Sequence, residues 1–223
     1  MLHLLLAVAL IPILHVTTMA VVGRAMGARL HWVSFGWGPM LFKGQNLHVR
    51  ALPGMGSVRF SHSVEDGLPE SDWHLALDRL SLPAQWLVTL SGCALLLALA
   101  VALHGYAAVE AFLALPAQLL AGAVSPFGDA QTLLREAADA VRSSSFAVLL
   151  ALIAAKVAAF NLLPLPMLNG GAAVAALGRR LGLARHWPPA ATHALICVYL
   201  ALAALWALAL GGYLLGLGMA SLH

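Results

Sequence analysis

Charge is what this chain most lacks. Of its 223 residues only 9% are Asp, Glu, Lys or Arg, and 61% are hydrophobic. A soluble domain carries about 25% charged residues, so a soluble globular protein is excluded and an integral membrane protein is left. Cysteine is nearly absent. Cys93 and Cys197 each fall inside an apolar run, which excludes a disulfide framework or a Cys-rich metal site and reads as small-residue packing. Basic stripes with interleaved aromatics are missing too, and the net charge is only +3, so nothing points to nucleic acid. No internal repeat or low-complexity tract divides the chain. Residues 1–223 read as a single membrane-embedded domain.

Long apolar runs are what the chain does have. A helical span needs about 20 mostly apolar residues. The qualifying runs are roughly Leu2 to Val22, Trp86 to Ala108, Phe146 to Leu163 and Ala190 to Leu217. A fifth run, Ala111 to Val124, is short and contains Pro116, and reads as a re-entrant or interfacial piece. The first run lacks the basic start of a secretory signal and reads as a mature span. Arg24, Arg29, Lys43, Arg50, Arg59 and Arg79 lie between the first two spans, and Arg179, Arg180 and Arg185 between the last two. The middle connection, Pro126 to Ser145, has only Arg135 and Arg142. The positive-inside rule then puts the first and last connections in the cytoplasm and both termini outside. The expected location is a bacterial inner or plasma membrane.

The first connection opens with short strands. Leu30 to Phe35 and Leu47 to Arg50 partly alternate, and Lys43-Gly44-Gln45-Asn46 is a turn signal between them. Its later part carries Glu65, Asp66, Glu70, Asp72 and Asp78 and reads as solvated. Gln131 to Arg142 reads as a short surface helix, and Gly170 to Leu181 as a short helix after a Pro/Gly break.

Three ordered segments carry more specific information. The first runs from His15 to Pro39 and contains Gly27, then Ser34, Gly36, Gly38 and Pro39. The second contains Leu52, Pro53, Met55, Gly56 and Val58. The third is Asn161-Leu162-Leu163-Pro164-Leu165-Pro166-Met167-Leu168-Asn169-Gly170-Gly171. Over nearly the whole chain these resemble the site-2 protease family of intramembrane zinc metalloproteases. That family has a His-Glu-x-x-His helix, a Ser-x-Gly-x-Gly-Pro strand and turn, a Leu-Pro-x-Gly-Gly hairpin region, a Gly-Pro matched here by Gly92-Cys93, and Asn-x-x-Pro-x-Pro-x-Leu-Asp-Gly. The resemblance implies an all-α polytopic membrane protein. Its site-2-protease-like transmembrane core would have about four spans and a small cytoplasmic loop containing a β-hairpin.

The departures bear on function. A catalytic zinc takes three protein ligands and an open position. In the family the two His lie on one helix face, the adjacent Glu is the general base, and an Asp from the third segment completes the set. Here the first His is His15. Val16 stands at the Glu position, Met19 at the second His and Asn169 at the Asp. Valine cannot accept a proton, methionine is a soft ligand suited to copper(I) rather than zinc, and asparagine offers only a neutral amide. The expectation is therefore a catalytically inactive homologue with no cofactor. It would bind or scaffold another membrane protein or its transmembrane helix within the bilayer, through a groove shaped by Asn161, Pro164, Pro166, Leu168, Asn169 and Gly170. Two alternatives remain: an active protease with an unorthodox zinc site, and a fixed structural subunit of a membrane complex. The other histidines, His31, His48, His62, His74, His104 and His193, have no close His-x-x-x-His partner and read as scattered surface groups. Thr17 and Thr18 read as helix-packing hydroxyls. Lys156, inside an apolar run, is a functional candidate or a snorkelling side chain, with Glu110 as a possible partner.

Overall fold

The computed structural model describes residues 2–183 and 188–220. Helix α1 (Leu2–Ala25) leads into strands β1 (Leu30–Lys43) and β2 (Leu47–Phe60), then two 3-10 turns at Glu70–Leu75 and Leu77–Arg79. Helices α2 (Leu82–His104), α3 (Tyr106–Val124), α4 (Asp129–Ser143), α5 (Phe146–Asn161), α6 (Asn169–Arg180) and α7 (Pro189–Ala220) follow.

The core is a bundle of α1, α2 and α5, joined on its flank by α3. Its buried residues are mostly small: Ala7, Ala100, Ala151, Ala154, Ala155 and Ala158, with Ile11 and Leu96 filling between them. Small residues let helix backbones approach closely where lipid supplies no hydrophobic drive for association. His3 at the start of α1 stacks in a tilted pair with Phe146 at the start of α5, ring centroids 5.7 Å apart. These two helices therefore begin at the same end of the bundle.

Among the described residues, four helices are long and apolar enough to cross a membrane: Leu2–Ala25, Leu82–His104, Tyr106–Val124 and Ala190–Gly216. The number matches the expectation, but the membership differs. The run ending at Ala108 breaks at Gly105, and Tyr106–Val124 is one continuous helix with Pro116 inside it. A proline inside a membrane helix is tolerated because neighbours re-satisfy the freed carbonyl. Phe146–Asn161, read as a full span, is a shorter helix of 16 residues. It begins at Ser145, whose hydroxyl accepts from the Val148 amide, and ends before the proline segment.

The hairpin turns at Gly44-Gln45-Asn46, where the turn was expected, but its strands extend much further. Both double back on themselves. Val33 pairs with Val58 and with Leu47, and Phe35 with Gly56 and with Val49. The far segment of β1, near Met40 to Lys43, pairs with Arg50 to His48 and is otherwise an exposed edge. The near segment packs on α1 through Val16, Ala20 and Val33.

The acidic segment is more organised than a solvated stretch. Asp66 takes the His62 amide and the Arg59 guanidinium, each at 2.7 Å, and Asp78 takes the Ser63 amide and hydroxyl at 2.8 and 2.6 Å. Both carboxylates are largely covered. Lys156 donates to Gln118 of α3, not to Glu110, which is exposed. Helix α4 covers Gln131 to Arg142 as expected, with only Ala130 buried along it.

Candidate functional site

The site is built where α1, α2 and the start of α6 meet. His15, Val16 and Met19 lie on the buried face of α1. Across from them, Gly92 of α2 has no side chain, and a Cβ there would stand 2.6 Å from His15 Nδ1 and 2.7 Å from the His15 carbonyl. Any larger residue would push α2 off α1. Sequence therefore sets the helix spacing at this point through one glycine.

The third segment arrives by a different device. After Asn161 the chain cannot continue as helix through Pro164 and Pro166. It crosses as an irregular stretch and starts α6 at Asn169. Gly170 and Gly171 sit directly against the carbonyls of Leu162 and Leu165, so that the new helix folds over the segment that precedes it. The tight fold-back brings residue 169 opposite residue 15.

The Asn169 amide nitrogen is the centre of the resulting cluster. It donates to the Thr89 carbonyl at 2.7 Å, and lies 3.2 Å from His15 Nε2, 3.3 Å from Met19 Sδ and 3.8 Å from Cys93 Sγ. A carbonyl oxygen can only accept, which fixes the nitrogen, and not the oxygen, towards Thr89. With the second amide N–H directed at His15, Nε2 accepts it and the ring proton sits on Nδ1. That atom is buried against Gly92 and makes no hydrogen bond among the described residues. Val16 is 1% exposed and wholly apolar in its contacts with the hairpin.

Zinc of the kind the resemblance implies does not fit these residues. One imidazole, one thioether and a neutral amide replace the nitrogen and carboxylate donors it takes. The amide presents its donor face to the other two groups. Among the described residues no three His, Cys, Asp or Glu side chains gather.

A cavity of about 300 Å³ leads to this cluster. Its inner end is formed by Met19, Thr89 and Asn169, and its walls include Pro166, Met167 and Leu168. Its outer end is charged, with Arg59, Glu65 and Arg179. Arg179 also reaches Gln85 at 3.4 Å, which places α6 at the same end of the bundle as the start of α2.

Of the groove residues named from sequence, Pro166, Leu168 and Asn169 line this cavity. Gly170 is buried beneath it as a packing contact. Asn161 and Pro164 do not line it; the Asn161 amide nitrogen is bonded to the Val157 carbonyl one turn back. Thr17 is exposed, and Thr18 bonds the Leu14 carbonyl. Thr89 and Cys93 were not singled out as site residues. Cys93 had a signal, since it follows Gly92 at a matched position. Thr89 acts through its backbone, which no side-chain pattern announces.

Helices of membrane-spanning length, a hairpin laid along the first of them, and a buried cluster joining that helix to a Pro-rich fold-back define a multi-pass integral membrane protein with the core of an intramembrane protease. The chain belongs to peptidase family M50, the site-2 protease family, whose model matches residues 3–208. Comparison with curated proteins finds no match.

Proposed function

We propose that this member of the family is a pseudoprotease that holds the transmembrane helix of another membrane protein without cutting it. One observation carries the reading: the Asn169 amide is bonded to the Thr89 carbonyl and directed at His15 and Met19. An amide so engaged supports no metal-activated water, and Val16 at the adjacent position supports no proton transfer. Pro166, Leu168 and Asn169 supply the receiving surface, and Asn161, Pro164 and Gly170 shape the fold-back that carries it. Irregular backbone at membrane depth is tolerated where protein covers it or it lines a watery cavity, so this segment offers backbone groups to a locally unwound guest. The exposed edge near Met40 to Lys43 supports addition of a guest strand. The setting proposed is a bacterial plasma membrane.

The test is capture of a candidate membrane partner from detergent, alongside a cleavage assay on the same partner. The wild-type chain should capture and not cleave. Met167→Glu, which sets a charge on the exposed wall of the groove, should weaken capture, and His15→Ala should matter less once normalised to folded protein. Cleavage by wild type that stops in the His15 variant would return the chain to the active proteases.

A further inference from the structure

We propose that the folded-back hairpin carries a binding site for the headgroup of an anionic phospholipid, with Lys43 and Arg50 holding its phosphate. The site is a second cavity, of about 390 Å³, lined wholly by residues of β1 and β2. The register builds it. Lys43 pairs with His48, and Arg50 lies two residues further along β2, so the three positions share one face of the hairpin. The doubling back of the strands brings His48 opposite Ser34 and stacks its ring on Trp32, with centroids 5.6 Å apart. Trp37 and Met40 complete the wall.

Charge complementarity points to an anion. No Asp or Glu lines this cavity, and among the described residues neither Lys43 nor Arg50 forms an ion pair. Arg50 donates to the Gly38 carbonyl at 2.9 Å. A guanidinium has five N–H donors and an ammonium three, so both side chains keep donors for phosphate oxygens. Charge-assisted bonds of this kind are the strong ones.

Position points to a lipid as the source of that anion. A Cβ at Gly54 would stand 3.1 Å from Val8, and one at Gly56 2.7 Å from Val16. Both valines lie well inside α1, a helix of membrane-spanning length, so the hairpin runs beside this span where lipid would otherwise be. Its basic end is level with Val16 and Ala20, because His48 pairs with Ser34 and the adjacent Val33 packs there. Its other end, with Trp37, Leu52 and Met55 exposed, extends towards Val8. A headgroup at the first and an acyl chain along the second match the polarity of a phospholipid. Indole rings favour headgroup level, and cations beside a span are costly unless answered. The lipid takes the face of the hairpin and a guest strand its edge, so this site does not rest on helix capture.

The experiment is native mass spectrometry of the delipidated full chain in detergent, titrated with short-chain phosphatidylglycerol, phosphatidylcholine or glycerol phosphate. Wild type should retain one phosphatidylglycerol in preference to phosphatidylcholine, and the preference should weaken with added salt. A basic residue near an anionic lipid contributes about 5-fold, so the double variant Lys43→Gln, Arg50→Gln should bind phosphatidylglycerol about 30-fold more weakly. Lys43→Arg keeps the charge in place and should bind as wild type, which separates loss of charge from loss of fold. Arg180→Gln, on α6 and outside this cavity, should also leave the preference intact. Equal retention of the two lipids, or a preference that survives the double variant, would overturn the proposal. Glycerol phosphate bound as tightly as phosphatidylglycerol would make this a site for free phosphate esters and overturn the lipid. Partner capture lost in the double variant, with no preference among lipids, would assign the basic row to an acidic guest protein instead.

Discussion

The two ends of the cavity are held together by opposite means. At the outer end, Arg59, Asp66, Asp78 and Arg179 work as ions or through hydrogen bonds to ions. At the inner end His15, Met19, Thr89, Cys93 and Asn169 meet with no formal charge among them. On the pseudoprotease reading proposed above, the difference is the means by which a buried protease site would be dismantled. A carboxylate at position 16 or 169 is tolerable inside a helical bundle while a zinc ion balances it. Without that ion it becomes an uncompensated buried charge. Removing one family residue alone would therefore be costly, and a neutral amide that satisfies the Thr89 carbonyl is a consistent end state.

The largest effect should come from putting charge back at the inner end. The ionised side chain of Asn169→Asp cannot donate to the Thr89 carbonyl, and keeping it charged or protonating it should cost up to about 3 kcal/mol in unfolding assays in detergent at neutral pH. The triple variant Val16→Glu, Met19→His, Asn169→Asp should recover stability on addition of zinc and bind one equivalent of it. An Asp variant as stable as wild type without metal would break the contrast between the two ends.

A smaller effect is expected from shape. Gly92→Ala forces α2 away from His15, and overpacking of this kind typically costs about 1–3 kcal/mol. Gly178→Ala on α6, which has open space around it, should be neutral or stabilising by roughly 0.5–1 kcal/mol. Equal effects of the two changes in the same melting assay would show that α1 and α2 are not held in close contact at His15.

The smallest effect belongs to the outer end. The His62 amide, and then the Arg59 guanidinium, hold the Asp66 carboxyl below its ordinary value. A depressed carboxylate contributes stability above its unfolded-state value, and loses it as pH falls through the lower folded one. Exposed ion pairs are worth about 0–1 kcal/mol, so the loss should be local. Hydrogen exchange of the His62 to Gly67 amides should quicken on acidification while the α1–α2 core stays protected, and Asp66→Asn should remove that pH dependence. Core and loop opening together would mean the outer ions hold the whole bundle.

These contrasts also explain what could be read from sequence. The turn at Gly44 to Asn46 followed from local pattern and the membrane class from composition, whereas the fold followed from the family resemblance. The pairing of His15 with Asn169 followed from the ordered motifs, because Gly92, Gly170 and the two prolines record the backbone geometry that makes it. The doubling back of β1 and β2 was hidden, since it depends on which halves pair across the sheet. The continuity of Tyr106–Val124 was hidden because proline was given its meaning in water. Asp66 and Asp78 were read as solvated because their partners are mainly backbone amides and hydroxyls.

Helix α5 has a consequence for how the protein is made. Its 16 residues reach about 24 Å at 1.5 Å per residue, short of a hydrocarbon core about 30 Å thick. It also carries Lys156, answered by Gln118 on α3. Presented alone to the insertion machinery, such a segment is a poor candidate to partition into lipid. Packed among α1, α2 and α3, it has little lipid to match in thickness and a partner for its amine. Its entry into the bilayer should therefore depend on helices already there, which makes α5, and the Asn169 segment that follows it, the late-assembling part of the molecule.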